Sequence, residues 1–266
     1  MNLGSWHTYD HYGYALFAVL GTFAAVALIH WVMRRSPWVQ WVRLLHGVAP
    51  PFINIIGVLF GLTLAFLAND TWNAHDRAMN AVYKEADALR SLIALSTHLD
   101  EPLQSNVHEA LADYAQANAA EWPLLAQRRI SPDVNAKGDT LLGLLSSIQL
   151  AQATGGNVQA QMLSKAMDIR DERNLRIGLS QTHINPLKWL GMAFLGFLTL
   201  ISIAVVHAEN ARAAFVAIML FALAAAPTAA IVLVQGNPFQ QPSSVSPAPI
   251  LLAFPPQVTQ PGSLRR

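Results

Sequence analysis

The sequence predicts an all-α membrane protein with four transmembrane helices and a helical bundle inserted between the second and the third of them. The composition is 53% hydrophobic and 12% charged, whereas soluble domains contain about 25% charged residues. Four apolar runs, at 14–33, 52–68, 189–206 and 213–234, are long enough to cross about 30 Å of hydrocarbon. The stretch at 69–185 combines polar residues with helical periodicity, so it is predicted to form the bundle.

The first transmembrane helix, at 14–33, follows an amino-terminal tail at 1–13 that contains no Lys or Arg. A cleaved signal peptide normally starts with a basic region, so we expect this apolar run to be retained. Tyr12, Tyr14 and Trp31 lie at the ends of the run, and aromatic residues there favour the headgroup level of a bilayer. The run is therefore predicted to span the membrane.

The loop at 34–51 predicts how the chain is oriented. It contains Arg34, Arg35 and Arg43 and no acidic residue, and short loops with this bias stay in the cytoplasm. Apolar residues between the arginines favour a short amphipathic helix that lies on the membrane surface. With this loop inside the cell, the stretch at 69–185 is predicted to lie on the outer, periplasmic side.

The second span, at 52–68, is predicted to continue as one long helix to about residue 98, because no Gly or Pro follows Gly61 in this stretch. Gly57, Gly61 and Ala65 recur every four residues. Small residues at this spacing let another helix approach closely in lipid. Helix packing is therefore the role that we expect for these three residues.

Other residues of the second span are candidates for the lining or gate of a pore. Asn54 is a strongly polar side chain within the span, and such a residue is expected to face protein or water. Phe60 and Phe66 suit lipid contacts, helix packing or a hydrophobic constriction that gates by dewetting. Asn69 and Asp70 begin a polar cluster that suits either a solvated helix exit or a pore vestibule.

The bundle is predicted to contain four amphipathic helices in antiparallel order. The third is expected over 135–153 and the fourth over 158–182. In the fourth helix, Arg170, Arg173 and Arg176 recur at three-residue spacing between acidic residues. They are interpreted either as ion pairs along a wet face, worth about 0.3–0.5 kcal/mol each, or as a basic stripe that faces the helix continued from the second span and attracts anions towards a pore.

The third and fourth spans, at 189–206 and 213–234, are separated by six residues and are predicted to form a tight hairpin. Pro227 lies inside the fourth span, where we expect it to kink the helix or to free a carbonyl group. The tail at 235–266 contains seven of the chain's 15 prolines. It is therefore predicted to be extended or disordered rather than part of a domain.

Several short motifs follow one another in order between Pro51 and Ile250. They are the second span with Trp72, EADAL at 85–89, Tyr114, Glu121 with Trp122, RNLRI at 173–177, Pro186 with Trp189, NPF at 237–239 and VSPAPI at 245–250. Their order and spacing resemble the bestrophin-like domain family of bacterial integral membrane proteins. This resemblance implies a multi-pass protein of the bacterial inner membrane, in contact with the lipid bilayer.

A more distant likeness to the bestrophin anion channels implies a homo-oligomeric channel for chloride or other small anions, with the second span lining the pore. The stretch LFGLTLAFLANDTW at 59–72 is similar in outline to the pore helix of those channels. It departs from them by a single tryptophan, Trp72, where the channels have a basic residue and paired tryptophans. No acidic cluster near the fourth span suits a calcium site.

Composition and motifs also exclude several classes of function. The absence of cysteine excludes disulfides and thiolate chemistry, and a net charge of +1 without a basic cluster argues against nucleic-acid binding. No catalytic or metal-binding motif occurs, so we expect no enzyme, no cofactor and no metal. An anion channel and a non-catalytic sensor or scaffold, whose bundle binds a partner, remain as competing hypotheses.

Overall fold

The computed structural model describes residues 10–35, 37, 40, 49–181 and 186–254. Within these ranges the chain forms ten helices and no strand. The surface helix predicted in the loop at 34–51 and the side chain of Arg43 lie outside the described residues.

The helices at the sites of the predicted spans have 21 to 48 residues, and one helix of the predicted bundle, Gly156–Gln181, is also long, with 26. In chain order they are α1 (Asp10–Arg35), α2 (Ala49–Ser96), α3 (Leu103–Ala120), α4 (Trp122–Ala126), α5 (Pro132–Leu145), α6 (Ile148–Thr154), α7 (Gly156–Gln181), α8 (Pro186–Val206), α9 (Ala211–Val234) and α10 (Ala248–Leu251). Helix α2 has 48 residues, in agreement with the absence of a break signal after the second apolar run.

The chain divides into two compact units. Unit 1 comprises Met1–Asn73 with His183–Gly236. Among the described residues, four helices are long and apolar enough to cross a membrane, as the sequence predicts, namely α1, α2, α8 and α9. Helix α1 packs against α8 and α9. The turn between α8 and α9 ends at Asn210, whose side chain accepts hydrogen bonds from two backbone N–H groups of the first turn of α9. Helix α9 then continues through Pro227.

Unit 2 comprises Ala74–Thr182 with Asn237–Arg266. The later part of α2 and helices α3, α5 and α7 contribute buried apolar residues to one core, among them Leu89, Leu111, Leu145 and Met162. The single helix expected over 135–153 is in fact α5 and α6. The chain leaves the helix at Ser147, which is extended (φ −67°, ψ 148°) and accepts a hydrogen bond from the backbone N–H of Leu150.

The prediction for the tail was wrong over its described residues beyond Gly236. Residues 237–254 belong to unit 2 and bury Phe239, Val245, Ile250 and Phe254 in its core. The indole Nε1 of Trp122 donates a hydrogen bond of 2.6 Å to the carbonyl oxygen of Val245. Because prolines remove backbone donors without preventing burial, a proline-rich segment can pack when apolar residues lie between the prolines.

Candidate functional site

The membrane-spanning part of α2 has one broad side that the described residues of its own chain leave uncovered. Of its most apolar 18 residues, 11% are buried, against 39% in α8 and 33% in α9. The uncovered side carries large apolar residues, namely Phe52, Ile55, Val58, Leu59, Leu62 and Phe66. This surface is available to lipid, to another copy of the chain or to a pore.

The small residues of the second span also lack a partner within the described part of unit 1. Gly61 and Ala65 are exposed and Gly57 is half-buried, and a Cβ added at either glycine would meet no heavy atom within 4 Å beyond the adjacent residues and backbone of its own helix. Asn54 is exposed on the same helix, and its side chain has no hydrogen-bond partner among the described residues. Between the described residues of one copy, the packing role predicted for the stripe is therefore not used.

Phe60 lies elsewhere. It is 8% exposed, its ring stands 5.3 Å from the ring of Phe221, and a Cβ on Gly196 would lie 3.1 Å from it. Phe66 lies six positions further along and is 62% exposed, and at about 100° per residue the two side chains point about 120° apart. Phe60 therefore packs α2 against α8 and α9, which is one of the roles expected for it, whereas Phe66 lies on the uncovered side of the helix.

The polar cluster at the end of the span is partly paired. The carboxylate of Asp70 accepts a hydrogen bond of 2.7 Å from Lys188 Nζ, and Trp72 Nε1 donates one of 3.3 Å to the side chain of Gln235. Asn69 is exposed. Both partners of the ion pair are more than half exposed, so it contributes little to stability but neutralises the charge of Asp70.

Unit 2 contains a buried ion pair that the sequence did not reveal. Arg176 donates from Nε to Glu85 Oε2 at 2.9 Å, and both side chains are fully buried. The other oxygen of Glu85 accepts from the hydroxyl of Tyr114 at 2.9 Å and from the amide of Asn118. The ring of Trp122 lies 4.7 Å from the guanidinium carbon of Arg176, so the pair is enclosed by polar and aromatic partners.

Burial and the neighbouring carboxylate of Glu85 raise the pKa of Tyr114 well above its ordinary value of 10.0. The folded protein therefore retains the phenolic proton more tightly than the unfolded chain does. Since the unfolded chain loses this proton first, the tyrosine favours unfolding as the pH rises above 10.0. At neutral pH the phenol remains a hydrogen-bond donor to Glu85.

A second buried pair lies next to the first. Arg173 donates to both oxygens of Glu121, at 3.1 and 2.7 Å, and from Nη1 to Asn135 Oδ1 at 2.6 Å. Glu121 also accepts from the backbone N–H of Ser131 at 2.9 Å. These contacts join α3, α4, α5 and α7 through one carboxylate.

The three arginines of α7 therefore do not form one basic stripe. Arg173 and Arg176 are buried and neutralised by glutamates on other helices, while Arg170 is exposed. A signal was present in the sequence, since Met162, Ala166 and Ile169 start a spacing of three and four residues that reaches 173, 176 and 180. The interpretation as ion pairs along a wet face is therefore wrong for Arg173 and Arg176, whose pairs are buried. Arg176 does face the continuation of α2, but Glu85 of that helix neutralises its charge.

Among the described residues, no three His, Cys, Asp or Glu side chains group closely enough to hold a metal ion. The functional features that the described part of the chain offers are thus the uncovered side of α2 and the buried polar network of unit 2.

Comparisons with known proteins agree with this architecture. A family model described as Bestrophin-like domain matches residues 20–250. Comparison with curated proteins gives no match. Two variants of a bacterial bestrophin homologue from Klebsiella pneumoniae have TM-scores of 0.66 and 0.63 at 13% sequence identity; the first match covers 91% of this chain and 94% of the other, the second 90% and 95%.

A solved structure described as a membrane protein variant has a TM-score of 0.63 at 12% identity, covering 90% of this chain and 94% of the other. At such identities the structures show a shared fold alone. The family match extends over residues 20–250 of 266, and the chain therefore belongs to the bestrophin-like domain family.

Proposed function

We propose that the protein is a homo-oligomeric anion channel of the bacterial inner membrane, with the first part of α2 lining the pore. The observation that carries the proposal is Asn54, an exposed amide without a partner among the described residues, inside an apolar membrane-spanning stretch. A polar side chain in contact with lipid is costly, and such residues face protein or water. The amide of Asn54 can form hydrogen bonds with another copy of the chain or with the water of a pore, whereas lipid tails offer it none.

The small residues beside Asn54 provide the contact between copies. Gly61 and Ala65 lie within about 20° of Asn54 around the helix axis, seven and eleven residues further along. Because no described side chain of the same copy covers them, helix α2 of a neighbouring copy can approach there closely. When this contact is repeated around a ring of copies, the adjacent side of each α2, which carries Leu62 and Phe66, faces the axis of the ring.

Leu62 and Phe66 then form the hydrophobic constriction, which conducts when it is wetted and closes by dewetting. Asn69 and Asp70 form the mouth of the pore. A ring of free carboxylates would repel anions, but each Asp70 is paired with Lys188 at 2.7 Å. The neutralised mouth is compatible with anion passage, which the likeness to the bestrophin anion channels implies. No step of this function requires an enzyme's chemistry or a cofactor.

Replacing Phe66 with alanine is expected to increase chloride leak through the channel several-fold, because the constriction loses its largest side chain. The measurement is chloride efflux from liposomes that contain the purified protein. Phe194→Ala is the matched control, since Phe194 is 59% exposed on α8 and lies outside the proposed lining. An efflux no faster than that of empty liposomes, from both wild type and Phe66→Ala, would reject the channel and leave the sensor or scaffold hypothesis.

Replacing Gly61 with leucine is expected to reduce the oligomer to smaller species, because the added side chain separates neighbouring α2 helices. Light scattering of the detergent-solubilised protein measures this change. Gly191→Leu on α8 is the control, as Gly191 is also an exposed helical glycine with no atom within 4 Å of an added Cβ. If both variants keep the mass of the wild-type oligomer, the Gly61 side is not the contact.

The orientation is a separate prediction. Arg34 and Arg35 end α1 and are expected to hold that end in the cytoplasm, which puts unit 2 in the periplasm. A reporter enzyme that is active only in the periplasm, inserted after Arg129, is expected to be active. Activity only from a cytoplasmic reporter at the same position would invert the topology without affecting the proposed pore.

A further inference from the structure

A cavity of about 290 Å³ lies between α3, α5 and α7 of unit 2. Its lining includes both apolar and polar residues. The ones that matter here are Leu142 and Met167 among the apolar residues and Asn135, Asp139, Arg170 and Asn174 among the polar ones. All of them except Leu142 are exposed, so the cleft is open to solvent, and its mixed lining offers a small molecule both apolar and polar contacts.

Arg170 is the unpaired cation of this region. Lys137 pairs with Asp113 at 2.5 Å, Lys165 with Asp168 at 2.9 Å, and Arg173 with Glu121 at 2.7 Å. Arg170 has no hydrogen bond and no ion pair among the described residues. The donors of its guanidinium group are therefore used by no described residue, and Arg170 is one of the residues that line the cavity.

Asn135 adds a second donor in a fixed orientation. Its Oδ1 accepts a 2.6 Å hydrogen bond from Arg173, and Arg173 is itself held by Glu121. This contact assigns the oxygen of the amide, so Nδ2 points away from Arg173 and has no acceptor among the described residues. Asn135 on α5 and Arg170 on α7 both line the cavity, and two donors, one of them charged, suit the oxygens of a carboxylate.

We propose that this cavity binds a small carboxylate with an apolar body of about four to six carbons, a size suited to its modest volume. The carboxylate contacts Arg170 and Asn135, and the hydrocarbon lies against Leu142 and Met167. Asp139, also unpaired among the described residues, can receive an ammonium group. An apolar amino acid and a short fatty acid are therefore the two sources of this chemistry.

The test is isothermal titration of L-leucine and of isocaproate, its deaminated counterpart, into the full-length protein in detergent. We expect saturable binding of at least one of them with one site per chain. Arg170→Gln should weaken it by about tenfold or more, the effect of losing a charge-assisted hydrogen bond. Arg77→Gln, at an exposed arginine outside the cavity, should bind as wild type does.

A second pair of variants tests the position of the apolar part. Met167→Trp should fill the cavity and abolish binding, whereas Ile148→Trp, at an exposed site outside it, should not. If Asp139→Asn weakens leucine but not isocaproate, the ligand is an amino acid; if it weakens neither, it is a simple carboxylate. Absence of saturable heat from both probes, or unchanged affinity in Arg170→Gln, overturns the proposal. Because no ion flux is measured, its failure is distinct from failure of the proposed channel.

Discussion

Arg176→Met is expected to destabilise unit 2 by about 3–5 kcal/mol, since it removes one partner of a buried ion pair and leaves the other charge unpaired. Glu85 would keep the hydroxyl of Tyr114 and the amide of Asn118 as donors. Neither carries a positive charge. The thermal midpoint of the full-length protein in detergent should fall by roughly 10 °C, at about 2–4 °C for each kcal/mol in a chain of this size.

Two further variants separate the buried charge from the loss of a side chain. Lys84→Met breaks the pair of Lys84 with Glu172, in which the lysine is 68% exposed, and should change the midpoint little. Glu85→Gln combined with Arg176→Met removes both charges and should recover part of the loss. The single variant Glu85→Gln completes the comparison. If adding Glu85→Gln to Arg176→Met lowers the stability by as much as Glu85→Gln lowers it alone, the two residues do not act as a pair.

The membrane spans were predictable because a bilayer imposes a simple requirement on length and polarity. A helix in lipid must present about 20 predominantly apolar residues, so each span is visible without knowledge of its neighbours. The long helix α2 was predictable for a related reason, the absence of any residue that would end it. Both features depend on local sequence alone.

The buried arginines were not predictable in the same way, because their burial depends on distant partners. Arg176 meets Glu85 at a separation of 91 positions, and Arg173 meets Glu121 at 52. Charged residues are normally exposed, and one sequence does not show which acid meets which base. The spacing that begins at Met162 places both arginines on the inner side of α7. Because a charged side chain is costly to bury without a partner, this spacing alone did not predict that the two arginines are buried.

The rotation of α2 was likewise beyond the sequence. Phe60 and Phe66 are both large apolar residues of one span, and the contacts of Phe60 with Gly196 and Phe221 on two other helices are what distinguish them. For the candidate pore, the sequence therefore indicated the correct helix to examine but not the side that remains uncovered.

The tail provides the second large effect, with Ile250→Ala as the variant. Ile250 is fully buried in the core of unit 2, and removing a buried isoleucine to alanine costs about 2–5 kcal/mol through lost apolar burial and a residual cavity. The thermal midpoint of the full-length protein should fall accordingly. The prediction follows from the packing of residues 237–254 and opposes the extended tail that composition favours.

Leu252→Ala is the matched control, because Leu252 lies two residues away in the same segment and is 75% exposed. Its effect should stay within about 0.5 kcal/mol. A tail without fixed packing would make the two substitutions equivalent, since neither side chain would then have a defined environment. A large difference between them can arise only if the segment holds one register against Trp122, whose indole donates to Val245 at 2.6 Å. Equal thermal midpoints for the two variants would therefore show that the tail is unpacked, as its prolines suggested.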